Sequence, residues 1–425
     1  MMTLLLLAAT APEPLWQIDL GAPSFGSGAI GDLDGDGRPE VAFGTYFGDA
    51  RLRVVRGATG EVLFERPSAG GPMDASVAIW NGLVIVADSA YGLMWAYGQD
   101  GAERWRVSLP SGTDSPAAIV DVTGDAEPEI LVGTMWRSRA EAGCVLCIDP
   151  RTRGIVWTRT LSGCIQTGPV VFDLDGNGTE EVLVGAWQGN GRLTCLDGRS
   201  GAVLWEFDVG GNQYHGPAVG EFGGATAIVT CEMGGRVVCL RADGTLRWER
   251  RLEGDSLFAP ITLFDADGEG DLEIAVMGRT AYVLQSDGGE IWRRTLDGES
   301  CLRGATPVDL DGDGHEDLLF GAGRHLWALR GRDGAVLWRF DATIRREGAV
   351  PRIGNEEIDS AVLLDDLNGD GTLDAFFVCG MGTSENEGRD NYGRAYAVRL
   401  PGVRGPAWRY FRGSLRHTGN TRHRQ

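Results

Sequence analysis

The chain has 425 residues, with 39 basic positions, every one of them Arg, and 60 acidic ones, for a formal net charge of −21. Such an acidic body lacks the basic face that nucleic-acid binding requires. No apolar run is long enough to span a bilayer as a helix, and no segment shows a helical period.

In chain order, residues 1–11 (MMTLLLLAATA) form a short apolar run ending in Ala9-Thr10-Ala11. This resembles a secretory signal without its positive n-region, and it predicts an extracytoplasmic location. Leu15–Leu20 then reads as an outer strand without a blade of its own. From there a unit repeats. Short Val/Leu/Ile-rich strands are separated by Gly-rich turns, and each unit ends in a turn followed by an aromatic residue: Phe64, Trp105, Trp157, Trp205, Trp248, Trp292 and Trp338. These aromatics lie 41 to 52 residues apart, the spacing of a four-stranded β-propeller blade. Inner strands starting near residues 27, 76, 117, 169, 217, 260, 304 and 360 give eight blades; seven is the alternative count. The eighth unit has three strands, so Leu15–Leu20 is expected to supply its fourth and close the ring. Trp408 competes for that position. The expected fold is all-β: one propeller of four-stranded antiparallel blades over 12–400, followed by a basic tail, 401–425. From Asn391 to Gln425 there are eight Arg and no acid. This tail is expected to fold back on the acidic body, with a docking site for an anionic partner as the alternative.

Between the first and second strands of five units stands Asp-x-Asp-x-Asp-Gly-x-x-Asp/Glu with minor variants. The acidic and amide positions are Asp32, Asp34, Asp36 and Glu40; Asp173, Asp175, Asn177 and Glu181; Asp265, Asp267, Glu269 and Glu273; Asp309, Asp311, Asp313 and Asp317; and Asp366, Asn368, Asp370 and Asp374. Alternating acids on a tight loop aim several oxygens at one point, and a hard cation such as calcium takes six to eight of them. The Gly at position six permits the turn, and the acid at position nine can close the shell with two oxygens. About five calcium ions are expected. The loop is not an EF-hand, whose closing Glu lies further on and whose flanks are helices. A sixth loop, Asp121 to Glu129, has Thr at position three and Ala at position six, and reads as a weak or lost site. Asn81-Gly82 and Gly223-Gly224 replace the acidic loop with ordinary hairpin turns.

The eight Cys read as packing residues. Cys147, Cys195 and Cys239 share one repeat position, nine or ten residues before the Trp, where other units have Val or Ala; free Cys behaves as a small hydrophobe. Cys144 and Cys147 form CxxC, but positions i and i+3 on a strand face opposite sides.

The acidic loops, with Phe43-Gly44 and Phe320-Gly321 nearby, resemble the FG-GAP/VCBS calcium-binding repeats of integrin-type propellers. The Asp-Gly-x-x-x-Trp unit ends resemble the tryptophan-docking repeats of pyrroloquinoline quinone (PQQ)-type propellers. By the first resemblance the calcium loops are structural and lie opposite the ligand face. The ligand face then collects Tyr46, Phe47, Asp74, Tyr91, Trp136, Gln166, Trp187, Tyr214, His215 and Arg303, with the polar loop Gly380–Arg394. Aromatic residues beside polar ones suit a protein or glycan partner. The expected function is a monomeric, non-enzymatic binding scaffold. The alternatives are a polysaccharide lyase or hydrolase, and a PQQ-type dehydrogenase, whose family often carries adjacent cysteines that this chain lacks.

Overall fold

The computed structural model describes residues 12–423, apart from 69–70, 74, 136–141, 345–355 and 384–388. The proposed signal segment, Asp74 and Trp136 therefore lie outside the described residues. Among the described residues, thirty-two strands form eight antiparallel sheets of four. These are the blades of an eight-bladed propeller. Their inner strands are Ala29–Gly31, Ala78–Trp80, Ala118–Val120, Val170–Phe172, Ala218–Phe222, Thr262–Phe264, Thr306–Val308 and Leu363–Asp365.

Burial falls from the axis outward. Inner and second strands are buried almost throughout, whereas an outer strand such as Gly154–Thr160 is largely exposed. The core lies between blades. One cluster joins Val120, Leu131, Val145 and Trp157 of blade 3 to Val171, Val182 and Leu196 of blade 4. Burying apolar faces of neighbouring sheets against each other is the main stabilising term here.

The outer-strand Trp residues lock successive blades. The indole N–H of Trp157 donates to Gly198 O of blade 4 (2.8 Å), Trp205 to Ala242 O of blade 5 (3.2 Å), Trp248 to Ser286 O of blade 6 (2.9 Å) and Trp292 to Gly331 O of blade 7 (2.6 Å). Each ring packs over the turn of the next blade: a Cβ on Gly201 would lie 2.5 Å from the Trp157 ring, at φ +64°. Within the blade, Cys147, Cys195 and Cys239 stand directly opposite Trp157, Trp205 and Trp248. The slot is small because the indole fills the space beside it. All eight Cys are buried free thiols.

Glu13–Leu20 pairs with Tyr392–Arg399 from Glu13↔Arg399 to Leu20↔Gly393 and closes blade 8. Its Trp16 N–H donates to Gly57 O of blade 1 (2.6 Å), so this closing strand also performs the docking that joins blade 8 to blade 1. Trp408 does not compete for this position. It is buried at the opposite edge of the same blade, exchanging backbone bonds with Leu364 of the inner strand (2.8 and 3.0 Å).

From Trp408 onward the chain runs around the inside of the ring in blade order. Amides at the middle of the inner strands donate to its carbonyls: Leu364 to Trp408, Ile30 to Arg409, Ile119 to Leu415, Val171 to Arg416, Val219 to Thr418 and Leu263 to Gly419, at 2.8 to 3.1 Å. At blade 2 the Tyr410 hydroxyl donates to Ile79 O. At blade 7 the equivalent residue is Pro307, which pairs with Leu318 as Ile30 does with Val41. Proline has no N–H to satisfy.

Candidate functional site

Antiparallel strands alternate direction, so loops joining strands one–two and three–four lie on one face of the ring. Loops joining strands two–three, and those leading to the next blade, lie on the other. The acidic loops occupy the first, lower face; the aromatic and polar candidates occupy the upper one.

In each acidic loop the first Asp organises the turn. Asp32 accepts from the amides of Gly35 (2.7 Å) and Gly37 (2.9 Å), and Asp309 and Asp366 repeat the pattern. Positions four and six both have positive φ: Gly35 is at +79° and Gly37 at +83°. The turn therefore depends on two glycines, where the sequence reading named one. The closing acid also holds the turn. One of its oxygens accepts from the amide of position two, as in Leu33→Glu40, Leu174→Glu181, Ala266→Glu273, Leu310→Asp317 and Leu367→Asp374. The other oxygen of Asp317 also accepts an amide, that of Gly331 (3.0 Å). The other oxygen of Asp374 is buried without a partner.

Carboxylate oxygens come within 4.8 Å of one another in Asp32/Asp34/Asp36, Asp173/Asp175/Glu181, Asp265/Asp267/Glu273 and Asp309/Asp311/Asp317. They do so equally in Asp121/Asp125/Glu129, the loop read as weak from its sequence. There Asp121 accepts from Gly124 and Ala126 as its counterparts do, with Ala126 at φ +70°. The Thr123 hydroxyl donates to the second oxygen of Glu129 (3.1 Å). The donor set is all oxygen and fits a hard divalent cation. Asn177, Glu269, Asp313, Asn368 and Asp370 occupy position three or five of their loops, on the exposed turns. Asp313 is engaged by Arg332 at 3.2 Å.

Burial, reinforced by neighbouring carboxylates and opposed by the position-two amide, pushes Glu181, Glu273, Asp317 and Asp374 up to about 7. Glu40 and Glu129 are raised for the same main reason.

On the upper face, loops of six blades bring Asp114, Gln166, Trp187, Tyr214, His215, Phe258, Arg303 and Asp359 together. Arg303 Nε donates to Asp359 (2.6 Å) and its guanidinium lies 5.6 Å from the Tyr214 ring. Gln166 donates to Asp114 (2.5 Å). Trp187, Tyr214 and Phe258 form an aromatic cluster with centroids 5.2 to 6.1 Å apart. Burial raises Asp114 and Asp359 although Gln166 and Arg303 oppose it. Burial disfavours the Arg303 charge, but Asp359 outweighs it and holds the guanidinium above its ordinary value. His215 is buried beneath, against Phe411 of the tail (5.3 Å), and burial, then Arg303 and Arg412, depress it strongly. Tyr46 packs separately against Phe25 and Phe47 on the blade 1 side.

The sequence reading missed Asp114, Phe258 and Asp359. A signal was present. Asp114, Gln166, Tyr214, Phe258 and Asp359 each stand four residues before the inner strand of their blade, and Arg303 stands three before. Aligning the repeats on the inner strands picks out this ring of positions.

Comparison with known proteins agrees with the fold. A family profile described as outer membrane protein assembly factor BamB matches residues 189–269, and one described as the λ-carrageenase β-propeller domain matches 138–214. The chain is 26% identical over 279 residues to the outer membrane protein assembly factor BamB of Yersinia pestis, covering 62% of this chain and 67% of that protein. Among solved structures, it resembles the biofilm matrix protein Bap1 of V. cholerae, with a TM-score of 0.65 at 12% identity over 95% of this chain and 93% of that one. It also resembles the quinohemoprotein alcohol dehydrogenase of Comamonas testosteroni, with a TM-score of 0.64 at 11% identity, covering 93% and 77%. The chain is thus similar to PQQ-like propellers. Among the described residues, no helix is long and apolar enough to cross a membrane.

The raised closing acids set a pH dependence. Without a cation the folded state keeps these protons to about pH 7, whereas unfolded carboxylates release them near pH 4. Their contribution to stability is complete below about pH 4 and lost as pH rises through 7. In chelator, the melting temperature should therefore fall between pH 5 and pH 8. A melting temperature that rises over this range in chelator would contradict the assignment.

Proposed function

We propose that the protein is an extracytoplasmic, calcium-stabilised propeller that acts as a non-enzymatic scaffold and presents its upper face to a protein partner. The observation that carries this reading is the aromatic cluster Trp187–Tyr214–Phe258 beside the Arg303–Asp359 pair. Aromatic and Arg side chains dominate the energy of protein interfaces. Two histidines and three thiols are committed to packing. His215 and His417 are buried and held neutral by their surroundings. Burial pushes the Cys231, Cys239 and Cys301 thiols up to about 12, and a thiol is a nucleophile only as thiolate. The similarity to an outer membrane protein assembly factor and to a biofilm matrix protein supports a non-catalytic role outside the cytoplasm. Alanine at Trp187 or Tyr214 should reduce capture of a cross-linked partner from envelope extracts at least about tenfold while leaving the melting temperature nearly unchanged. Equal capture by these variants would contradict this use of the face.

The acidic loops resemble FG-GAP/VCBS repeats, and the carboxylates of each loop would hold a calcium ion. A bound ion would supply charge neutralisation at the hairpin, while the chain's own amides hold the turn. The loop at Asp121–Glu129 joins the other five as a candidate. Each site filled at a hundredfold excess over Kd adds about 2.7 kcal/mol. Chelation should lower the melting temperature by much more than replacing Asp173 and Asp175 with Ala. Equal losses would contradict independent sites.

A second reading is favoured by the match of 138–214 to a carrageenase propeller domain. The two raised carboxyls, Asp114 and Asp359, flank Arg303, and a pair of acids is what polysaccharide cleavage uses. Release of reducing ends from an acidic polysaccharide, abolished by Asp114→Asn, would favour it over the scaffold.

A further inference from the structure

We propose that the channel lined by the inner strands is a peptide-binding site, and that its ligand is the protein's own segment 407–423, held as a docked peptide and not as part of any blade. The ring does not need this segment for its eight blades. Every blade has its four strands without it, and Glu13–Leu20 closes the circle. The segment adds no strand of its own. Among the described residues, its backbone meets the inner strands through single bonds and the isolated bridges Leu364–Trp408 and Leu263–Asn420.

The recognition is of two kinds. The first reads backbone. Six blades each offer the N–H at the middle of an unpaired inner edge, and the segment turns one carbonyl to each. The blade with Pro307 offers none and receives none of these carbonyls. An exposed strand edge is a general receptor for another chain; here eight such edges face one axis. The second reads side chains. Trp408 and Phe411 are buried. Arg412 reaches across to donate to the carbonyls of Gly216 (2.7 Å) and Pro217, and Asn420 donates to Val219 O (3.0 Å). A basic segment also suits an acidic ring: Arg409 pairs with Asp365 and Arg416 with Glu180 (2.7 Å). The ligand class is therefore a basic peptide with Trp, Phe and Arg in the spacing Trp-x-x-Phe-Arg. The connection to the ring, residues 401–406, is exposed except at Val403, which bonds Leu373 and Leu400 of blade 8, so a cut after Val403 leaves those bonds in place.

The test uses the full-length folded protein with a protease site placed after Val403. After cleavage, the segment should co-elute with the ring in gel filtration. Excess labelled synthetic peptide of residues 402–425 should then replace it. Peptides carrying Arg412→Ala or Trp408→Ala should compete about tenfold or more weakly, since each loses buried bonds or apolar contact. Raised salt should speed the exchange, because Arg409 and Arg416 are paired near the surface. Immediate loss of the segment on cleavage would overturn the proposal, as would unfolding of the ring or equal competition by the variant peptides. Retention without exchange over days would show an integral part of the fold and overturn it too. Because the substitutions sit in the peptide, folding of the ring does not confound the result.

Discussion

Every blade of a propeller has two edges of unpaired backbone groups, and the fold stands or falls on how these are satisfied. The outer edges face water and need no partner. The seam between the first and last blades, and the inner edges around the axis, do. Both are covered by the ends of the same chain. Glu13–Leu20 completes the last sheet and carries Trp16 into the docking pattern of the other blades. Residues 408–419 supply carbonyls to six inner edges. Leaving buried amides unpaired would cost roughly 1–3 kcal/mol each, so these few bonds decide whether the channel can be dry.

Closure also separates two kinds of chemistry. Acidic hairpins gather on the lower face, where carboxylates crowd in groups of three and burial holds the closing acid far above its ordinary range. The upper face carries aromatic rings and one strongly held guanidinium, Arg303. The segment in the channel touches both. Arg416 reaches Glu180 in a lower loop, and Phe411 lies against His215 beneath the upper recess. A basic tail in an acidic molecule is thus a matched element of the interior, which is why composition alone showed a charge asymmetry without showing where it lay.

The blade count, the closing strand and the acidic hairpins were legible in the sequence because each repeats a local pattern: a Trp at a fixed spacing, a Trp on a lone first strand, alternating acids before a Gly. The turn geometry of the Asp121 loop was not legible from the side chains at positions three and six, because it comes from Asp121 gripping the amides of residues 124 and 126. The upper recess was only half legible. Trp187, Tyr214, His215 and Arg303 were named for their type, but their union depends on loops about 45 residues apart. That the basic tail folds back on the acidic body was legible from its Arg content, but its path along the inner edges was not. Its main contacts use backbone carbonyls, and these leave no mark in a list of residue types.

The claim at the centre is that the inner edges are sealed by the chain's own C-terminal segment. Native-state hydrogen exchange measures this most directly, residue by residue. In the intact protein, the amides of Ile30, Ile119, Val171, Val219, Leu263 and Leu364 should be as protected as the amides inside the second strands. Exchange of these six at the rate of exposed turn amides would contradict the account.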